Sequence, residues 1–225
     1  MPTPLIANGV SRLTAKGRHA NLCAAPLFGV YLWLEDIRRM TGSPSIEEII
    51  TKYLSATVDA TGTLYQKGLY GHLLVIIYSS IDTLGLLDAP PDQLSASGES
   101  FKNWVKHYLV PQPGIEFNEV DLWAARCAVL HTFTTQSDLS RARKAREIQY
   151  YGGDKTTEIA AKFVAITKAM DGGKHLPIHF EDLYGAFLNA LRKFVHDLDA
   201  KCSSDPKCEK RLRDVLQIYP MQDVL

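Results

Sequence analysis

The run DLWAARCAVLHTF, residues 121–133, holds two side chains able to do proton and phosphate chemistry, Arg126 and His131, among Leu, Trp, Ala, Cys, Val and Phe. Its apolar spacing predicts a buried helix from about Asn118 to Phe133. On a wheel of about 100° per residue, Leu122, Trp123, Val129, Leu130 and Phe133 fall within about 60° of Arg126. A guanidinium on such a face cannot escape by losing its proton, so it needs an acceptor or an opening to a cleft. The preceding apolar helix offers Asp82, which shares a row at spacings of three or four with Tyr78, Ser79 and Leu86. Such a pair is either a packing device or part of a site, and periodicity leaves both readings open. His131 follows Arg126 by about 140° of rotation and about 7.5 Å of rise on an ideal helix. The two therefore converge only if the helix ends near Thr132, if the arginine reaches along the axis, or if a second copy of the chain supplies the opposite wall. A lone histidine near a helix C-terminus is more often a cap partner than a catalyst.

The elements that must position these residues read as mainly helical. SIEEIITKYLSATVDA, from Ser45, carries acids in its first turn and apolar residues at helical spacing. LYGHLLVIIYSSIDTLGLLD is apolar on every side and reads as a central helix, APPDQLSASGES as a loop, and FKNWVKHYLV as a short helix stopped by PQPG. After residue 133 the period changes. SDLSRARKAREIQYYGGD is basic and then strand-like; AKFVAIT and HLPIH suit a small antiparallel sheet with DGG as the turn, although AAKFVAITKAM also fits a helix. EDLYGAFLNALRKFVHDLD and PKCEKRLRDVLQI predict two further helices, the second with Pro206 at its start. The expected fold is mainly α: a helical bundle with a small antiparallel β element after it. We expect a loose arm over residues 1–20 and one helical domain over 21–225, with its core at about 45–152 and a C-terminal elaboration at 153–225.

Bulk properties limit the function classes. The chain has 225 residues, and its 25 basic and 25 acidic residues cancel. No global field draws in nucleic acid or an anionic membrane, so a polyanion site must be local. Four cysteines, Cys23, Cys127, Cys202 and Cys208, do not make a disulfide scaffold and suit a reducing, cytoplasmic setting. The uncharged stretch NLCAAPLFGVYLWL follows Arg12, Lys16 and Arg18 like the front of a secretory signal. It runs into EDIRR instead of a cleavage site and is too short to span a bilayer, which favours a core helix or ordered arm.

The order YSSIDTLG, FKNWVKHYL, DLWAARCAVLHTFTTQSDLSRARKAREIQYYG, over roughly residues 65 to 152, resembles the HEPN superfamily of helical-bundle ribonucleases and RNA-binding domains. Arg126 and His131 match its Arg-x4-His signature, and within it a group of uncharacterised bacterial proteins is the nearer likeness. The resemblance implies a metal-independent endoribonuclease, usually a homodimer whose two motifs line one cleft, with RNA as substrate and no cofactor. It also implies a role in bacterial stress or defence with an antitoxin or regulatory protein as partner. In this scheme His131 transfers the proton, Arg126 holds the phosphate and Asp82 orients the arginine; the 2′-hydroxyl is the nucleophile, so no metal is required. Many active members carry a polar residue directly after the arginine, where this chain has Cys127. Ser137 and Arg141 lie in the resembling stretch and, with Arg143, Lys144 and Arg146, could hold flanking phosphates, although such a run is more often a solvated face. The rival expectation is a non-catalytic helical module that binds a partner protein, nucleotide or RNA, with a purely structural Asp82–Arg126 pair.

Other patterns carry less. His175 and His179 have a zinc-like spacing, but Pro177 opposes a helix between them and no third ligand stands nearby. Cys202 and Cys208, around Asp205-Pro206, read as a turn between helices; two ligands do not make a metal site. YYGGDKT lacks P-loop spacing and there is no Gly-x-Ser-x-Gly elbow.

Overall fold

The computed structural model describes residues 44–215; the expected arm at 1–20 and the apolar stretch at 21–34 lie outside them. Eight helices and two strands occur among the described residues, in the order α1 (Pro44–Gln66), α2 (Tyr70–Asp88), α3 (Gly98–Trp104), α4 (Glu119–Thr132), α5 (Asp138–Arg141), β1 (Glu147–Tyr151), α6 (Glu158–Ala169), β2 (His175–His179), α7 (Phe180–Ser204) and α8 (Pro206–Val215). The fold is mainly α, as the periodicity predicts.

Helix α1 buries Ile50, Leu54, Thr57, Val58 and Thr61, the stripe its spacing describes. Helix α2 is long and apolar enough to cross a membrane by length and composition, and half of it is buried inside this bundle. It packs against α1, α3, α4, α7 and α8. Its Gly85 allows a close approach to α3, because a Cβ there would stand 2.6 Å from the Ser100 carbonyl oxygen. Helix α3 starts with a reciprocal Ser97–Ser100 capping box and runs into a π-helical turn over Val105–Leu109, closed by Val110 N donating to the Val105 oxygen at 2.8 Å. One hydrophobic core runs through the whole described chain, from Ile50 and Ile77 through Trp104, Leu122 and Ile148 to Phe187 and Leu212. Residues after 153 thus build the same core as those before it.

The sheet departs from expectation. Strands β1 and β2 pair in parallel, with Glu147 opposite His175 and Tyr151 opposite His179. AKFVAIT is not a strand: Thr157 caps it, accepting from Ala160 N at 3.2 Å, and Glu158 occupies the first turn of α6. The segment DGG ends this helix instead of turning a hairpin, with Asp171, Gly172 and Gly173 all at positive φ. Parallel strands need a crossover connection, and α6 is that crossover. Of the two readings left open for AAKFVAITKAM the helix is the one that forms; a short apolar run cannot by itself distinguish helix from strand.

Candidate functional site

Helix α4 presents the Arg and His. Asn118 caps it, its side chain accepting from Val120 N and Asp121 N, while the Asp121 carboxylate accepts from Asn118 N at 3.1 Å. The helix stops at Thr132 because Phe133 turns left-handed, at φ 53, with Phe133 N donating to the Val129 carbonyl at 3.1 Å and Thr134 N to that of Ala128 at 3.3 Å. The buried face consists of Asp121, Leu122, Ala124, Ala125, Ala128 and Val129. Arg126 therefore stands at the border of that face and not at its centre, beside the half-buried Trp123, Cys127 and Leu130. Three alanines, weak in any apolar pattern, carry the close packing instead.

Arg126 and Asp82 meet across α4 and α2, with side chains 18% and 19% exposed. Nε and Nη2 both donate to the single oxygen Oδ2, at 3.0 and 2.6 Å. Asp82 thus engages one edge of the guanidinium. Nη1, on the other edge, lies 3.4 Å from His131 Nε2. The arginine reaches along the helix axis to do this, and α4 ends one residue after the histidine. Arg126 Nη1 can donate only to a lone pair on Nε2, so this contact belongs to the imidazole tautomer protonated on Nδ1. The guanidinium also lies over the Trp123 ring, 5.0 Å from its centroid, which holds the plane in place. Asp82, Arg126 and His131 form one continuous row from a shielded carboxylate to an exposed imidazole.

Cys127, next to the arginine, has its thiol pushed up by burial, against a smaller opposing effect of Arg126. It stays protonated at neutral pH and is no thiolate nucleophile. Tyr78, part of the expected polar row with Asp82, points elsewhere: it is fully buried and its hydroxyl bonds that of Tyr150 on β1. At the end of α4 an apolar cavity of about 150 Å³ is lined by Gly71, Leu74, Val129, Phe133, Thr134, Thr135 and Tyr150.

The arginines of the basic run after α4 are each paired with a nearby acid. Ser137 is buried as the N-cap of α5, accepting from Ser140 N at 3.2 Å. Its hydroxyl is committed to that cap. Arg141 pairs with Asp138, and Arg143, at φ 57, lies 3.8 Å from Asp171. Lys144 is exposed. Arg146 faces away from any substrate role: its backbone N, Nε and Nη2 all donate to Asp121, at 2.7, 3.0 and 2.6 Å, and Nη2 also donates to the Glu116 carbonyl. Asp121 is thus both the capping-box acid of α4 and the buried anchor of the chain entering β1. The capping role was readable as an acid three residues after Asn118; the partner, 25 positions away, had no local signal. Glu147 is another buried acid, accepting from Thr135 Oγ1 at 2.6 Å and Gln149 Nε2 at 2.8 Å.

The described residues contain no cluster of three or more His, Cys, Asp or Glu side chains able to hold a metal ion. No family model matches this chain, and no curated protein or solved structure matches it.

Proposed function

We propose that this chain is a metal-independent endoribonuclease of HEPN type, acting from Asp82, Arg126 and His131. The observation that carries the reading is the approach of Arg126 Nη1 to His131 Nε2 at 3.4 Å, with the arginine anchored from behind by Asp82. A phosphate needs a preorganised cation, and Asp82 supplies that order by occupying Nε and Nη2 and leaving Nη1 turned to the histidine. An RNA phosphate oxygen competes with His131 for Nη1. When it takes that N–H, the Nε2 lone pair is released beside the ribose and can accept the 2′-hydroxyl proton. The resulting alkoxide attacks the adjacent phosphorus, Arg126 stabilises the charge on the non-bridging oxygens, and the 5′-oxygen leaves. The products are a 2′,3′-cyclic phosphate and a 5′-hydroxyl end. DNA has no such nucleophile and is not cut.

The exposure of His131 supports this reading over the non-catalytic one, because a purely structural pair gains nothing from an imidazole on its solvent side. The functional unit is a homodimer, in which the histidine of a second copy, in its imidazolium form, protonates the leaving oxygen. Exposed Lys144, with Arg141 and Arg143, lies on the segment that follows and adds phosphate contacts weak enough to be screened by salt.

The test is cleavage of a mixed RNA pool by purified protein in the presence of EDTA, beside Arg126→Ala and His131→Gln. Cleavage that survives EDTA, leaves cyclic phosphate ends and is lost in both folded variants supports the reading. Wild-type-like cleavage in folded His131→Gln refutes it.

A further inference from the structure

The hairpin between α7 and α8 holds a second reactive group, remote in sequence from the Arg–His row. Cys202 and Cys208 are both buried, and their Sγ atoms are 3.0 Å apart, one thiol hydrogen-bonded to the other. A disulfide needs about 1 Å of further closure and no rearrangement of partners. The turn itself is well held: Asp205 Oδ1 accepts from Lys207 N at 2.9 Å, and Cys208 N donates to the Asp205 oxygen at 3.0 Å.

The flanking residues give this pair something to control. Lys201, beside Cys202, donates to the Asp88 carbonyl at 2.7 Å. Arg211, one turn after Cys208, donates through Nη1 to the carbonyls of Leu86 and Ala89, at 3.1 and 2.6 Å, and through Nη2 to that of Pro90. Two cations, one from each arm of the hairpin, thus close the C-terminal end of α2, where unsatisfied carbonyls and the helix dipole favour positive charge. The same helix carries Asp82, one turn before Leu86.

We propose that Cys202 and Cys208 are a dithiol–disulfide switch that fastens α8 to α7 and so locks the Lys201–Arg211 clamp on the end of α2. The oxidant is a low-molecular-weight disulfide. The Cys208 thiolate attacks one sulfur of it, forming a mixed disulfide and expelling one thiolate. Cys202 then gives up its proton, attacks Cys208 Sγ and expels the second thiol. The two protein thiols lose two electrons and two protons, and the small disulfide is reduced to two thiols. Cys208 is the attacking sulfur: hydrogen bonding with Cys202, then the nearby Lys201 and Arg211, outweigh burial and Asp205 and hold its thiol below the usual range. Cys202 is shifted up, chiefly by that same hydrogen bond and then by burial and the charge of Cys208. A reversible pair of this kind suits a reducing compartment, where disulfides serve as sensors more than as scaffolds.

The test equilibrates the full chain in mixtures of reduced and oxidised glutathione, started from both the reduced and the oxidised side so that burial does not limit the result. Remaining thiols are alkylated and the peptides weighed. The expected result is a linked pair of peptides carrying Cys202 and Cys208, absent in Cys208→Ser and unchanged in Cys127→Ser. Hydrogen exchange over residues 206–215 and 84–90 then slows several-fold on oxidation of the wild type and not of Cys208→Ser. Full alkylation of both cysteines across the series, or glutathione adducts without the link, overturns the switch. A link that leaves exchange at 84–90 unchanged overturns the clamp.

Discussion

Replacing both members of the Asp82–Arg126 pair separates a structural arginine from a catalytic one. Breaking a buried ion pair from one side costs about 3–5 kcal/mol, because the remaining charge loses its partner. Here each side chain is about one-fifth exposed, so the abandoned charge regains some water, and each single change, Asp82→Leu or Arg126→Met, is expected to cost about 2–3 kcal/mol. Methionine keeps most of the length of arginine and can lie on Trp123 as the guanidinium does. The double variant buries no unpaired charge and should fall within about 1 kcal/mol of wild type, against about 5 if the two losses were additive. In thermal denaturation that difference corresponds to roughly 8–16 °C for a chain of this size. Urea midpoints supply the stabilities, and RNA cleavage in EDTA is measured on the same four proteins. The expected outcome is a double variant that is stable and inactive. Additive losses would refute the pairing, and a stable double variant that cleaves RNA like the wild type would refute the catalytic arginine.

Three further outcomes follow from the packing. Asp121→Ala should destabilise by about 3 kcal/mol in urea unfolding, since it strips the acceptor from Asn118 N and from three donors of Arg146; Arg146 is over a third exposed and can rehydrate, which keeps the cost near the lower limit. Gly85→Ala should cost about 1–3 kcal/mol, because its Cβ meets the backbone of Ser100, whereas Gly71→Ala should stay within about 1 kcal/mol, because its Cβ meets only the Phe133 ring, which is 58% exposed and can swing away. Near-equal melting temperatures for the two would contradict the close α2–α3 approach. The phenols of Tyr78, Tyr150, Tyr108 and Tyr184 are all pushed above the ordinary value of 10.0, first of all by burial. Unfolded tyrosines ionise through that value and these native ones do not, so their contribution is complete below about pH 10 and is lost as pH rises further toward the native values. Stability should therefore fall above about pH 10, less steeply in Tyr150→Phe. Phenolate absorbance showing all ten tyrosines ionising without unfolding would contradict it.

Much of the helical framework was legible in the chain because it is written locally. The stripe of α1, the all-round apolarity of α2, the capping residues of α4 and Pro206 at the start of α8 act within a few positions of themselves. The need of Arg126 for an acceptor was legible too, since a guanidinium among apolar residues has no other outcome, and Asp82 was the acid that the neighbouring helix offered. Tertiary structure decided the rest. The convergence of Arg126 with His131 depends on how far the side chain extends after Asp82 has taken one of its edges, which no helical wheel contains. The burial of Asp121 with Arg146 and of Tyr78 with Tyr150 joins residues 25 and 72 positions apart. The strand direction was misread because a parallel pair is set by a crossover helix, not by the turn chemistry beside the strands. Periodicity determines which face of an element seeks the interior; which charged groups meet there is decided only when the elements are packed together.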